Sequence, residues 1–367
     1  MPLQAAFTLN PNEIFGSIAN MIISQEVFAD NLGKHQTLVD KARVDGGLYG
    51  DKKLYYATDV LKSEPWGPAA GRAAEQLAAS NLLAIVRPDD PEVQDITLDV
   101  FRQISLTVDS YLSKRAWSTE GAFSSFNSVM LGWMRETKRV YDGTLYNVFI
   151  GTAESPALTQ SISCDITTAV GSATGMEANV LEATEVARVL ADLIVEMGDY
   201  SRKFNDYGFL RSYANDSIKV IWNSKFVNKI KKVDLPTIFH KEGLVDKFEE
   251  EVLPARYFGQ IQASAHTSVA NERSMIETDY TVGGVTTHVF PGDVIPTGAS
   301  VAAGASYIED ATVICKVLVK LPPYMSAFEA GTSFFNAKSL TENHYLTFGH
   351  NTLQYLKNYP FITVKAI

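Results

Sequence analysis

Hydrophobic and polar positions follow two periods along this chain, and each long run of one period predicts an element. From Gly121 to Ile150, Phe123, Phe126, Met130, Trp133, Thr137, Tyr141 and Leu145 recur at spacings of three and four. That is one apolar stripe on a helix about 45 Å long at ~1.5 Å per residue. Arg135, Glu136, Lys138 and Arg139 fall on its other faces, so the expected core side is Phe123, Phe126, Met130 and Trp133. A second amphipathic helix spans about 176–198, through Val180, Leu181, Leu190, Leu193, Ile194 and Met197. The residues Ile14, Ile18, Met21 and Ile22 and the segment 69–83 carry weaker helical patterns.

The period of two appears in 93–111, where Ile104, Leu106 and Val108 alternate with Ser105, Thr107 and Asp109. Residues 218–222 read as a buried strand. The final third reads as strands at 277–289, 311–320, 345–348 and 361–366, punctuated by Gly283–Gly284, Pro291–Gly292 and Pro322–Pro323. Near the amino end, 37–45 and 52–61 read as the arms of a hairpin around Gly46–Gly50. The second arm carries Lys52, Lys53, Tyr55, Tyr56 and Asp59 with no evident apolar side. An isolated hairpin of that kind is marginal in water, so its expected partner is a neighbouring copy. Gly46, Tyr49, Lys52, Lys53, Tyr55, Tyr56 and Asp59 are the interface candidates. The low-charge stretch 152–175 marks a boundary, and strands at both ends of a helix-rich middle suggest a discontinuous domain.

Composition narrows the picture without redrawing it. With 46% hydrophobic and 20% charged residues over 367 positions, the chain can bury a large core, in two lobes. A formal charge of −10 excludes a global basic field; 225–232 is the one lysine-dense run. Cys164 and Cys315 are far apart and form no metal or redox motif, which suits a reducing compartment. Met1–Phe15 lacks a basic segment followed by an apolar run, so no secretory signal is expected.

Chemistry-bearing motifs are missing. No phosphate loop, nucleophile elbow, zinc-binding histidine pair or dinucleotide fingerprint occurs. The six histidines are scattered; His344 and His350 are too widely spaced for a metal pair. Glu249–Glu251 reads as a solvated helix face. The expectation is no enzyme, cofactor or metal.

The stretch from Ile85–Val86–Arg87–Pro88 through Glu154 resembles the major capsid proteins of small tailed bacteriophages of the podophage type. Trp117 and then Gly121–Ala122–Phe123–Ser124–Ser125–Phe126 open the long helix in that family's manner. Tyr141–Asp142 and Leu145–Tyr146–Asn147 follow inside it, and Ile218–Asn223, Leu235–Gly243 and Leu253–Phe258 resemble the family's second domain. From Ser264 onward the likeness fades, and Thr286–Ser306 reads as an insertion.

The resemblance implies an α+β fold, the tailed-phage major capsid fold. Its parts would be an N-terminal arm (1–35), an extended β-hairpin loop (36–65), a peripheral domain with the spine helix (66–155) and an axial domain (156–263). Residues 264–310 would be an insertion or axial-domain continuation, and 311–367 would complete the peripheral domain. It implies a homo-oligomeric shell subunit, in pentamers and hexamers, of an icosahedral or prolate capsid. Portal and scaffold proteins would be partners, and double-stranded DNA would be enclosed without sequence-specific contact or membrane. The chain would be made in the host bacterial cytoplasm and reside in the virion capsid. The rival readings are an encapsulin-like compartment shell and an enzyme with no recognisable site.

Overall fold

The computed structural model describes residues 38–44, 52–63, 87–109, 120–230, 249–326 and 328–367. The segments 14–28 and 69–83, Gly46 and Tyr49 lie outside them. In chain order the elements begin with α1 (Leu38–Ala42), β1 (Arg43–Val44), β2 (Lys52–Ala57), β3 (Glu92–Asp109) and α2 (Glu120–Thr152). Then follow β4 (Ser161–Cys164), α3 (Ile166–Val170), α4 (Met176–Gly198), β5 (Lys219–Asn223), α5 (Ser224–Ile230) and β6 (Glu249–Leu253). Seven short strands come next: β7 (Gly259–Ile261), β8 (His266–Thr267), β9 (Glu272–Ser274), β10 (Thr278–Val282), β11 (Val285–Val289), β12 (Ser300–Val301) and β13 (Ser306–Glu309). The last are β14 (Val313–Leu318), β15 (Tyr324–Met325), β16 (Phe328–Asn336), β17 (Thr341–Asn351) and β18 (Phe361–Ala366).

Two sheets share one helix. The first has five strands in the order β4-β18-β14-β5-β6. Its alternating residues separate two cores, as the pleat requires. Val220, Trp222, Cys315, Val317, Ile362 and Val364 face α4, which supplies Val186, Leu190, Leu193, Ile194 and Met197. Ile221, Val313, Leu318 and Phe361 face the other way, onto Tyr146 and Ile150 of α2 and Leu38, Val39 and Ala42 of α1. The last segment therefore does not complete a single sheet. Its β14 and β18 join strands from 161–253, while β16 and β17 pair with β3 in a second sheet, ordered β16-β17-β3-β2.

The carboxyl end of α2 is held tightly. Lys316, fully buried in β14, donates to the carbonyl of Ala153 and to the Thr363 hydroxyl, both at 2.8 Å. A cation there answers the unpaired carbonyls of the helix end. Burial lowers the Lys316 pKa to about 7. Gly151 lies so near the next segment that a Cβ would stand 2.1 Å from the Tyr257 carbonyl oxygen.

Residues 259–309 form a small β module. β7 and β13 pair so that Gly259 lies opposite Glu309, and the module thus leaves and re-enters the chain at neighbouring points. It has its own core of Tyr280, Val289, Ile295, Ala299, Val301 and Ala305. Tyr307 and Met275 attach it to Val148 of α2 and to Tyr257. The module thus extends beyond 286–306 on both sides.

Over 132–150 the phase of the spine helix differs from the expected one. Met134, Lys138, Tyr141, Asp142, Tyr146, Val148 and Ile150 are buried, whereas Trp133 and Thr137 are half-buried. The side chains of Phe123, Phe126 and Met130 lie outside the described set. The buried face is turned about one residue, or roughly 100°, from the apolar stripe. The cause is that two charged residues sit on it. The ammonium of Lys138 lies 3.9 Å from Asp142 and 5.5 Å from the Phe348 ring centre, so it points inward and not outward as expected. A pattern that counts only apolar residues skips both. Met134→Ala is expected to cost about 2–5 kcal/mol, and the half-buried Trp133→Ala less, despite the larger truncation. Urea unfolding of the purified chain measures both, and the reverse order would contradict this phase.

Candidate assembly surface

Along β3 the second sheet is covered on one face among the described residues. Burial alternates along β3 without a break from Val93 to Val108, with even-numbered residues inward and odd-numbered ones exposed. The inward side looks onto α2, where Tyr141 meets Phe348 edge-on at 5.7 Å and the Arg102 guanidinium lies over the Tyr141 ring at 4.9 Å. On the outward side, Phe101 lies over Gly349 in the paired strand, where a Cβ would stand 3.0 Å from its ring.

β2 ends this sheet, paired antiparallel with β3 from Lys52 opposite Thr97 to Ala57 opposite Glu92. It is not hairpin-paired with 37–45, which is helical at 38–42 and then runs parallel to β15. Nor does it lack a buried side. Lys53, Tyr55 and Ala57 turn inward, and Tyr55 packs against the cluster of Ile96, Met325 and Leu356 with the Lys320 ammonium 5.6 Å from its ring centre. Lysine and tyrosine bury their stems while their polar ends reach water, so a half-buried face reads as polar in sequence.

The outward residues of β2 are Lys52, Leu54 and Tyr56. Lys52 pairs with Asp95 at 2.5 Å. Tyr56 is 64% exposed and lies in register with Val93, itself 46% exposed. Leu54, Val60 and Leu61 add further exposed apolar area along the same edge segment. Exposed apolar area gathered in one place marks a surface that meets a partner. Val93, Val60 and Leu61 were not among the sequence candidates; only the β2–β3 register brings Val93 to Tyr56.

Asp59 has a different role from the one expected. Its carboxylate accepts from the Leu210 N–H at 3.0 Å and from Arg202, while Arg211 donates to the Thr58 carbonyl at 2.6 Å. The Leu210 N–H and then Arg202 hold its pKa at about 2. Asp59 anchors the end of β2 to the 202–211 loop of its own chain.

This edge is fixed to the body through a buried polar knot. Asp142 accepts from the Tyr324 hydroxyl at 2.5 Å and from Arg43 of β1 at 3.1 Å. Burial pushes its carboxyl up, against the pull of Tyr324, Lys138 and Arg43. Beside it, His350 takes the Tyr141 hydroxyl at 2.9 Å and stacks on Tyr324 at 5.6 Å. Burial lowers its pKa. Asn351 accepts from the Met325 N–H and donates to the Pro323 carbonyl.

These groups have packing partners and no reactive geometry. Among the described residues, no group of three His, Cys, Asp or Glu could hold a metal. No helix there is long and apolar enough to cross a membrane. Burial raises the thiol of Cys164 to about 11 and that of Cys315 further. Glu249–Glu251 is not a helix face but part of edge strand β6, where Lys41 binds Glu249 and Glu251 and Lys219 binds Glu249. Charge on an edge strand discourages open-ended strand pairing. Lys225 is exposed at the start of α5, and Lys231 and Lys232 lie outside the described residues.

No family model and no curated protein matches this sequence. Solved structures do match. A chain in the capsid structure of Staphylococcus phage Andhra is 10% identical, with 91% of this chain and 87% of that chain covered, at a TM-score of 0.53. A chain in the structure of the head fiber and inner core protein gp22 of native bacteriophage P68 is 11% identical, with 89% and 83% covered, at a TM-score of 0.55. At these identities the likeness is one of fold, and it spans nearly the whole of each chain. With its spine helix shared by two sheets, this chain has the tailed-phage capsid fold.

Proposed function

We propose that the chain is a non-catalytic structural subunit of a phage capsid, assembling with copies of itself into a closed shell around double-stranded DNA. The observation that carries this reading is the exposed apolar edge of Leu54, Tyr56 and Val93 on a subunit of capsid fold. A body that exposes this edge gains by covering it, and identical copies offer a cover. Pentamers and hexamers follow from shell geometry, and portal and scaffold proteins are the further partners. The net charge of −10 suits an inner wall over which DNA slides, since each cation–phosphate contact would add adhesion. The subunit would be made in the host bacterial cytoplasm and reside in the virion.

Negative-stain electron microscopy of the purified chain, expressed alone and with its scaffold, is expected to show closed particles or curved sheets. A monodisperse monomer under all such conditions would count against the reading. Leu54→Asp with Tyr56→Asp is expected to leave the thermal unfolding of the free subunit within a few degrees of the parent, since both side chains are exposed. The same pair should abolish particles. Normal particles from the double variant would remove this edge from the assembly surface.

A further inference from the structure

Two histidines of the 259–309 module share an unusual arrangement. His266 has its Nδ1 2.9 Å from the Ser264 carbonyl and its Nε2 2.7 Å from a carboxylate oxygen of the fully buried Glu272. His288 has its Nδ1 2.6 Å from Asp279 and its Nε2 3.0 Å from Glu277. All four facing atoms are pure acceptors. A neutral imidazole has one N–H and one lone pair, so it satisfies only one acceptor and turns its lone pair on the other. Only the doubly protonated ring satisfies both. His350 shows the contrast: the Tyr141 hydroxyl donates to one nitrogen while the other donates to the Asn351 carbonyl, so the neutral ring fits.

The first site lies within the module, and the second reaches toward β3. His266 lies on β8, whose partner β12 contributes Val301 and no charge, and Glu272 also takes the Val269 N–H at 2.9 Å. His266 thus ties the 264–272 turn to β9. Its neighbour Arg273 turns away to the Gly292 carbonyl. His288 spans the foot of the β10–β11 hairpin, with Phe290 edge-on to its ring at 5.2 Å. Its partner Glu277 is ion-paired at 2.9 Å with Arg102 of β3. Arg102 in turn lies over Tyr141 of the spine helix, with His350 and Asp142 behind. A continuous polar chain therefore runs from His288 through Glu277 and Arg102 to α2.

We propose that the 259–309 module carries a proton-gated clamp: its 264–290 segment stays ordered while His266 and His288 each carry two ring protons, and it opens when they lose them. The direction follows from linkage. The Ser264 carbonyl, then Glu272, raise the His266 pKa; Asp279, then Glu277, raise that of His288. A histidine raised in the folded state adds stability that is complete below its unfolded value, about 6.5, and is lost as pH rises through the folded value. Opening would be alkaline, not acidic. Each unit between folded and unfolded values changes the opening equilibrium about tenfold.

Amide hydrogen exchange of the full chain, corrected for the pH dependence of intrinsic exchange, tests this between about pH 6 and pH 9, either side of the histidine range. Protection of peptides within 264–290 is expected to fall by about tenfold or more over that window, while α4 and the five-stranded sheet keep theirs. His266→Gln with His288→Gln is expected to show the low protection already at the acidic end and no further fall. Unchanged wild-type protection, or an undiminished fall in the double variant, overturns the proposal. Should the double variant not fold, the imidazole resonances of the wild-type chain decide: midpoints for His266 and His288 above about 6.5 support the clamp, and midpoints at or below it overturn it.

Discussion

A buried carboxylate on the spine helix organises this fold. Asp142 is fully excluded from water, and an unpaired charge there would be strongly destabilising. It is satisfied only if Tyr324, Arg43 and Lys138 all converge on it, and those residues belong to β15, β1 and the helix itself. Satisfying one oxygen pair therefore fixes where the amino-terminal strand lies and where the chain enters β16. With the C-terminal half of α2 packed on the five-stranded sheet and Tyr141 packed on β17, two sheets become one body.

The segment between β17 and β18 reinforces that joint. Gln94 of β3 donates to the Tyr355 carbonyl and accepts from the Lys357 N–H. Asp206, from the other lobe, takes the Tyr355 hydroxyl, the Ser155 hydroxyl and the Gln160 amide. Leu356 and Tyr359 fill the space between. Residues 352–360 thus strap the two sheets with side-chain and backbone bonds, and Asp59 adds a second strap from the end of β2. Among the described residues, the outward side of β2 and β3 stays uncovered.

Elements with a single strong period were legible in the sequence. The helices at 120–152 and 176–198, the alternating strand at 92–109 and the buried strands at 219–223 and 361–366 stand where their patterns placed them. Pairing was not legible, because register is a property of two segments. The 52–57 strand was assigned the wrong partner, and Val93 was not seen beside Tyr56. Charge misled in three places for one reason. Lys138 and Asp142 count as surface in any hydrophobic pattern, yet here they neutralise each other inside. Asp59, expected at an interface with a neighbouring copy, is bonded to the 202–211 loop of its own chain. Conversely, the acidic run at 249–251 carries no helical or strand signature of its own; its parallel neighbour β5 makes it a strand.

The most direct test of the account compares side-chain exposure before and after assembly. Hydroxyl-radical footprinting of free subunits and of intact particles reads Leu54, Tyr56 and Val93 against exposed reference positions on α4, such as Val195. The account predicts that oxidation of the first three falls by about tenfold or more on assembly, as for side chains moved from water into a packed interface, while Val195 need not change in step. Equal oxidation of Tyr56 and Val93 in the free and assembled states would contradict it, leaving the exposed edge without a role in the shell.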